Sequence, residues 1–230
     1  MQNSKKLKIY YKIVYPKELF KKILSESEFS RFRRFFLVIL YDIFPARSLL
    51  LTLKFKHLDT YGHCRRVATL SGEICREYLK KYGGKTKIKD VKKAALFHDI
   101  GKLFISRKIL KEKRLTELDM KEIREHPEEG AELAAGILKP KIVKSIYEHQ
   151  EEMNGSGYPR GLDGDDLSLP DKIISVADDY CAMTEKRAYN MPKNLNDAIR
   201  DIKKNRGVRY DERVVEVFCR IKSSKFSQDS

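Results

Sequence analysis

Histidine and aspartate residues at the ends of apolar stretches are the side chains of this chain best suited to chemistry. His98 and Asp99 are adjacent in the segment LFHDIGK and offer an imidazole nitrogen and two carboxylate oxygens at one point. A carboxylate of this kind can bridge two cations, and mixed histidine and carboxylate sites suit Fe, Mn or Zn. Lys102 follows within one helical turn, so its ammonium group is expected on the same side. The segment is therefore a candidate for a metal centre with a positive charge beside it, although a His-Asp pair taken alone is more often structural.

Further candidate ligands are spread along the chain. Asp59 and His63 are four residues apart and share a face if their segment is helical. Asp178 lies in the apolar segment IISVADDY, where a buried carboxylate needs a metal or a basic partner such as Lys172 or Arg187. Each of these residues, taken singly, is more often a structural group than a ligand. The candidates outside 98–99 are Asp59, His63, His126, His149 and Asp178.

The segments around these residues have the spacing of helices. Apolar residues from Val67 to Tyr78 recur at three- and four-residue steps, and Gly83 follows as a typical helix end. Thr116 begins a capping-box pattern for a helix that reaches His126. Further helices are predicted at 28–44, 90–101, 130–138, 141–152, from 170 onward, and at 195–204 and 211–221.

The fold class follows from these helices and from the sparse turn residues. Glycine and proline number only 12 and 7, and no run alternates between apolar and polar residues as a strand would. The stretch 154–166 (NGSGYPRGLDGDD) is a loop, because it holds four glycines and a proline. We therefore predict an all-α protein, with a main domain at 57–222 and a polar tail at 223–230.

Residues 1–56 form a basic extension with 13 lysines or arginines against 4 acidic residues. The extension is expected to be a lid, a docking segment, or a set of short helices that packs on the main domain. Its apolar run from Phe35 to Phe44 is about half the ~20 residues that a membrane span requires, and Asp42 interrupts it. The run therefore predicts a buried helix and no membrane span.

The composition limits the classes of partner. A formal net charge of +15 attracts nucleotides, nucleic acids and anionic membranes alike, although a solvated charged surface gives the same number. The charge alone does not favour specific nucleic-acid binding. The four cysteines show no C-x-x-C spacing and no signal peptide precedes them, so a cytoplasmic location is expected.

The order of the candidate ligands resembles the HD-GYP family, a branch of the HD superfamily of metal-dependent phosphohydrolases. The resemblance covers about 57–220 and includes the segments TYGHCRRVA, AALFHDIGK, HPEEGAE, NGSGYPRGL and DDYCAMTEKRAY. It implies a helical bundle with two divalent ions at its centre, one or three being the alternatives. Fe or Mn is expected first and Zn second. The implied activity is hydrolysis of cyclic di-GMP, or of cyclic GMP-AMP, to a linear dinucleotide or mononucleotides.

The resemblance also implies a role for each matching residue. One ion would be held by His63, His98, Asp99 and Asp178, and a second by Asp99, His126 and His149, with Asp59 near a third. Asp99 and Lys102 would be the catalytic pair, and Lys102, Tyr158 and Arg187 would contact the nucleotide. Two such ions can activate water and hold the attacking and leaving oxygens of an in-line displacement. A module that only binds would use the GYP loop (157–159) for docking, with a diguanylate cyclase domain as a candidate partner.

Three positions depart from the family pattern. Gln150 stands where a second histidine is usual, and as a neutral amide it is a weaker ligand for the second ion. Cys181 replaces the usual second aspartate after Asp178, and Asn190 replaces a basic residue. Three hypotheses therefore remain: an active cyclic-dinucleotide phosphodiesterase, an inactive module that binds nucleotide or partner, and a one-metal phosphohydrolase of other nucleotides.

Overall fold

Helices make up all the regular secondary structure that the computed structural model describes, which covers residues 16–186 and 191–226. This confirms the predicted all-α class. Within these ranges no helix is both long and apolar enough to span a membrane. The α helices are α1 (Pro16–Ser25), α2 (Arg31–Ile43), α3 (Pro45–Lys56), α4 (Leu58–Tyr82), α5 (Ile88–Phe97), α6 (Arg107–Lys111), α7 (Glu117–Ala134), α8 (Pro140–Glu148), α9 (Leu169–Thr184), α10 (Leu195–Lys204) and α11 (Glu212–Phe226). A 3₁₀ turn, Ile100–Leu103, lies between α5 and α6.

The long helix α4 is the centre of the bundle. It packs against α5 and α9, and also against α3 and α11. Val67 and Ile74 are fully buried on the face that the sequence spacing predicted. The helix ends at Gly83, whose φ of 73° lies in the left-handed region that glycine reaches without strain. α4 thus carries His63 into the interior of the molecule.

Helix α7 is longer than the sequence indicated. Two helices, one ending at His126 and another at 130–138, were expected. Pro127 lies between them, and proline normally interrupts a helix. Instead α7 runs through Pro127 to Ala134. Pro127 has no N–H for the carbonyl of Ile123, and the ring Nδ1 of His126 lies 2.6 Å from that oxygen. The imidazole therefore replaces the missing backbone hydrogen bond, and the prediction of two helices was wrong for this reason.

Helix boundaries elsewhere differ by smaller amounts. The capping box of α7 is present, with the Thr116 hydroxyl accepting from the backbone of Asp119 at 3.2 Å. The helix expected at 141–152 ends at Glu148 as α8, and His149 follows as its cap. The last helix extends to Phe226, beyond the predicted end at 221.

The N-terminal helices pack on the rest of the molecule. α1 contacts α7, and α3 contacts both α4 and the 3₁₀ turn. The ammonium group of Lys56 donates to the carbonyl of Leu103 at 2.6 Å, and Arg107 donates to the carbonyls of Phe55 and Lys56 at 2.8 and 2.6 Å. These contacts support the packing hypothesis for the extension, at least over α3.

The apolar helix α2 is mostly exposed, and the prediction that Phe35 to Phe44 is buried was wrong. Within α2 only Leu37 and Tyr41 are buried. Large apolar side chains lie on its outer side: Phe32, Phe35, Phe36, Ile39, Ile43 and Phe44 are each at least 45% exposed. The run places apolar residues on both faces of α2, but only one face of α2 packs against the rest of the molecule.

Candidate metal centre

Six histidine and aspartate side chains from five parts of the fold meet in the interior. They form three overlapping groups in which all ligand atoms lie within 4.8 Å of one another: His63 with His98 and Asp99; His98 with His149 and Asp178; and Asp99 with His126 and His149. α4, α7 and α9 each provide one residue, the end of α5 provides two, and the end of α8 provides one. Residues as far apart in the sequence as His63 and Asp178 thereby lie next to each other.

Three of the imidazoles are held by backbone carbonyls three residues earlier. The Nδ1 atoms of His98, His126 and His149 lie 2.7, 2.6 and 2.7 Å from the carbonyl oxygens of residues 95, 123 and 146. Two of these carbonyls are free because a helix ends there, and the third because Pro127 follows. A carbonyl only accepts, so each Nδ1 carries a proton and each Nε2 faces into the cluster, where it is the atom that a cation would bind.

Two of the atoms that face into the cluster have no hydrogen-bond partner among the described residues. They are His98 Nε2 and Asp99 Oδ1, and both are buried. His126 Nε2 lies 3.1 Å from His149 Nε2, so two lone pairs face each other unless a cation lies between them. Imidazole nitrogens and carboxylate oxygens in this arrangement fit a divalent transition metal.

The electrostatics of the cluster also favour bound cations. Burial would raise the pKa of Asp99, but Lys102 and His98 outweigh burial and hold it well below its usual range. Burial disfavours charge on His98 as well, yet Asp99 and Asp178 raise its pKa well above the usual value. Burial and the neighbouring imidazoles keep the pKa of His149 well below its usual value. Ionised carboxylates beside a neutral imidazole are the donor set that a metal ion requires.

His63 differs from the other three imidazoles because it lies between two carboxylates. Its Nε2 is 2.7 Å from Asp178 Oδ1, and its Nδ1 is 3.0 Å from Glu185 Oε2. Glu185 also accepts from Arg66 Nε at 2.6 Å. The sequence interpretation missed Glu185, although its position seven residues after Asp178 places both carboxylates on one side of a helix.

The remaining sequence-predicted residues fall at different distances from the cluster. Asp178 pairs with His63, and Lys172 instead lies 3.7 Å from Asp211, so the lysine alternative for Asp178 was wrong. Gln150 faces the site, with its amide nitrogen 3.3 Å from Asp178 Oδ2. Asp59 belongs to none of the three groups and lines the cavity next to them. Arg187 and Asn190 lie outside the described residues.

Lys102 is placed by the close packing of the 3₁₀ turn on α7. Its ammonium group donates to Asp99 Oδ2 at 2.7 Å. Gly101 permits this approach, because a Cβ at that position would overlap the carbonyl oxygen of His126 and the backbone of Gly130. The tight contact therefore sets Asp99, Lys102 and His126 side by side.

The buried carboxylate of Glu151 holds the GYP loop in place. Glu151 is 2% exposed and accepts from the backbone N–H groups of Arg160 and Leu162 at 2.7 and 2.9 Å. Tyr158 lies half-buried, with the guanidinium of Arg124 5.5 Å from its ring centre. Burial, with the charges of Asp99 and the neighbouring acidic groups, raises the pKa of Tyr158, so the phenol stays protonated.

A basic cavity of about 680 Å³ opens beside the cluster. Its walls include His63 and Asp99, and Tyr61 lies further along, with Lys54 and Arg65 each 6.0 Å from its ring centre. Its basic lining residues are Lys54, Arg65, Arg66, Lys102, Lys111 and Lys186. Lys54 belongs to α3, so the predicted extension contributes to the wall of the site.

Comparison with known proteins places the chain in a family. A model of the HD domain family matches residues 48–214. The chain belongs to this family, in its HD-GYP branch. The HD-GYP chain is 30% identical over 220 residues to the cyclic di-GMP phosphodiesterase of Thermotoga maritima, an alignment that covers 92% of this chain and 57% of the relative. It is 32% identical over 165 residues to the 3'3'-cGAMP-specific phosphodiesterase 1 of Vibrio cholerae, covering 70% of this chain and 37% of that relative.

Solved structures agree on the fold. Bd1817, an HDG"Y"P protein from Bdellovibrio bacteriovorus, superposes with a TM-score of 0.57 at 18% identity, over 90% of the HD-GYP chain and 69% of the other. The HD domain of the L. monocytogenes phosphodiesterase PgpH, in complex with cyclic-di-AMP, gives a TM-score of 0.57 at 19% identity, over 79% and 97% of the two chains. The chain spans about half the length, or less, of the curated relatives described above.

Proposed function

We propose that this HD-GYP chain is a metal-dependent phosphodiesterase that opens a cyclic dinucleotide, with cyclic di-GMP as the first candidate. The observation that carries the proposal is a buried cluster of six metal-binding side chains that opens onto a basic cavity beside Lys102. The names of the relatives support the substrate class, since they are phosphodiesterases of cyclic di-GMP and of 3'3'-cGAMP. The product is a linear dinucleotide or GMP.

The cluster residues would hold two divalent ions, Fe or Mn first. His63, His98, Asp99 and Asp178 would hold one, and Asp99, His126 and His149 the other. When bound, such ions supply an activated water and neutralise the charge of the phosphate. The chain's own contribution is to aim the four Nε2 atoms inward, to exclude solvent, and to hold Lys102 where it meets a phosphoryl oxygen.

The cavity has the size and charge to accept a nucleotide that carries a second phosphate. Its volume of about 680 Å³ falls within the range of about 300–1,000 Å³ that is usual for pockets that bind small molecules. Lys54 and Arg65 lie over the Tyr61 ring, where they provide positive charge for that second phosphate. Tyr158, on the GYP loop, would contact the nucleotide from another side.

The direct test is hydrolysis by metal-loaded protein. The chain is purified without oxygen, its metals are counted, and it is incubated with Fe(II) or Mn(II) and either cyclic di-GMP or 3'3'-cGAMP. We expect a linear dinucleotide or GMP on chromatography, and no product from Asp99→Ala. No product despite two bound ions would contradict the cyclic-dinucleotide substrate and point to another nucleotide.

A second measurement tests the cavity. Lys54→Ala and Arg65→Ala should each raise KM for the cyclic dinucleotide and leave hydrolysis of bis(p-nitrophenyl) phosphate unchanged, because the small diester does not reach those residues. Lys80→Ala, an exposed lysine at the end of α4, is the matched control. Equal effects on both substrates would mean that the two residues do not recognise the dinucleotide.

Gln150 favours a second candidate, a module that binds nucleotide or protein without turnover. Its amide nitrogen lies 3.3 Å from Asp178, and a neutral amide beside the cluster holds a metal less well than an imidazole. In that case the GYP loop would serve as a docking surface, with a diguanylate cyclase domain as the first partner to test. A one-metal phosphohydrolase of mononucleotides is the third candidate.

Gln150→His distinguishes these candidates. If the second ion is weakly held, the variant should bind more metal per chain than the unmodified protein, because an imidazole lone pair replaces the amide. Metal analysis after dialysis against a fixed Mn(II) concentration gives the stoichiometry. An unchanged ratio of two ions per chain would show that Gln150 is tolerated, and an unchanged ratio of one would favour the third candidate.

A further inference from the structure

His63 differs from the other imidazoles of the cluster in the hydrogen-bond acceptor that is available to its Nδ1. The Nδ1 atoms of the other three bond to carbonyls left free by a helix end or by a proline. His63 lies within α4, five residues after its first residue, where the preceding carbonyls accept helix hydrogen bonds. Its Nδ1 therefore needs a side-chain acceptor, and Glu185 Oε2 lies 3.0 Å from it.

Glu185 is itself held in place by α4. Arg66 Nε donates to Glu185 Oε1 at 2.6 Å, and Arg66 follows His63 by three residues on the same side of that helix. The Glu185 side chain is 14% exposed, whereas that of Arg66 is 54% exposed. One carboxylate from the end of α9 thus joins two side chains of α4, with one oxygen for each.

Residue 181 lies between the two carboxylates that contact His63. Positions 178 and 181 are three apart and share one side of α9, and Glu185 is the capping residue that directly follows the helix. The HD-GYP pattern has an aspartate at 181, and the buried Cys181 in this chain offers no comparable acceptor. Glu185, four residues later, is the carboxylate that contacts His63 Nδ1.

We propose that Glu185, clamped by Arg66, is the positioning residue that orients His63 as a metal ligand and takes the place that an aspartate at 181 would fill. By accepting from Nδ1–H, the carboxylate fixes the tautomer that leaves Nε2 available and strengthens Nε2 as a donor. The proposal rests on the metal site of the proposed function and not on its substrate.

Metal affinity is the measurement that tests this role. Loss of a carboxylate behind a ligating histidine costs about 10- to 100-fold in affinity. Glu185→Gln should therefore raise the dissociation constant for Mn(II) at least tenfold, measured by calorimetry on the full chain. Glu216→Gln, at an exposed carboxylate that pairs with Lys81 on the surface, is the matched control and should bind like the unmodified protein. Arg66→Gln should weaken binding by about threefold or less, as for an exposed ion pair.

A rescue variant separates orientation of the imidazole from general damage. Cys181→Asp in the Glu185→Gln background should recover most of the lost Mn(II) affinity, since it returns a carboxylate to the same side of α9. Circular dichroism checks that each variant is folded. Unchanged affinity in Glu185→Gln would overturn the proposal, and so would a double variant that stays as weak as Glu185→Gln. Mn(II) binding requires no substrate, so these outcomes are independent of whether the chain hydrolyses a cyclic dinucleotide.

Discussion

The side chains around the cluster hold its imidazole rings in a defined orientation. Four Nε2 atoms face inward because every Nδ1 has an acceptor, either a carbonyl or Glu185. Lys102 adds a fixed positive charge 2.7 Å from Asp99 and beside the cavity. The groups that orient the candidate ligands are therefore nearly as numerous as the ligands themselves.

Lys102→Ala tests the role of that charge. The ammonium group is expected to stabilise developing charge on the phosphoryl oxygens, so its loss should lower kcat by about 10²- to 10³-fold. Metal content should remain close to that of the unmodified chain, because Lys102 donates to Asp99 Oδ2 and is not a metal ligand. Steady-state kinetics and metal analysis on the same preparation check both parts. A fall in kcat of less than threefold would remove Lys102 from the catalytic set.

Which residues the sequence could reveal depends on how local their signal is. His98, Asp99 and Lys102 stand together in one segment, and the other ligand candidates follow a known order. The signal of Glu185 is weaker, because its spacing from Asp178 does not say which side of α9 meets α4. Its role follows only from contacts with His63 and Arg66, which lie 122 and 119 residues earlier in the sequence.

At the scale of helices, the two errors of prediction have different causes. A helix end was predicted at His126, but its imidazole satisfies the carbonyl of Ile123 within the same helix and α7 continues. The apolar run of α2 predicted burial, but only one face of that helix meets the bundle. The capping box at Thr116 and the glycine stop at Gly83 were predictable because both are local.

Helix α7 also carries several acidic residues, and they make the stability of the folded protein depend on pH. Burial, and then the charges of Glu125 and the neighbouring glutamates, raise the pKa of Glu129 to about 8. The folded chain therefore binds this proton more tightly than the unfolded chain, whose glutamate pKa is 4.5. The favourable contribution is complete below pH 4.5 and is lost as the pH rises through about 8.

Glu129→Gln should remove that dependence. The neutral amide matches the protonated carboxyl group, so the variant is expected to unfold at a higher temperature than the unmodified chain at pH 9. The two proteins should differ little at pH 5, where Glu129 is already protonated. Thermal unfolding followed by circular dichroism at both pH values gives the comparison. Equal midpoints at pH 9 would mean that Glu129 ionises without a penalty in the folded protein.

For the whole molecule, the metal site and the fold support each other. The cluster joins α4, α5, α7, α8 and α9, and α3 closes one wall of the cavity through Lys54. An ion that binds the folded chain and not the unfolded one stabilises the fold by mass action, by about 2.7 kcal/mol at a concentration 100 times its dissociation constant. The central cluster and the basic cavity are thus formed by one set of packed helices.

Removal of the metal should lower the unfolding temperature. Metal-loaded protein treated with a chelator is expected to unfold several degrees earlier, since about 1 kcal/mol shifts the midpoint of a domain of this size by about 2–4 °C. Differential scanning calorimetry before and after chelation, with Mn(II) added back, measures the change. Asp99→Ala is the control and should show no shift on chelation. Identical midpoints for loaded and stripped protein would contradict a stabilising site.

The separation of the ligands along the chain has a consequence for biosynthesis. His63 and Asp178 meet across 115 residues, so the full coordination shell is absent until the ribosome has released α9. During translation the groups formed by His63, His98 and Asp99 and by Asp99, His126 and His149 can assemble before Asp178 is synthesised, whereas the group formed by His98, His149 and Asp178 cannot. No nascent chain that ends before α9 therefore contains the complete cluster.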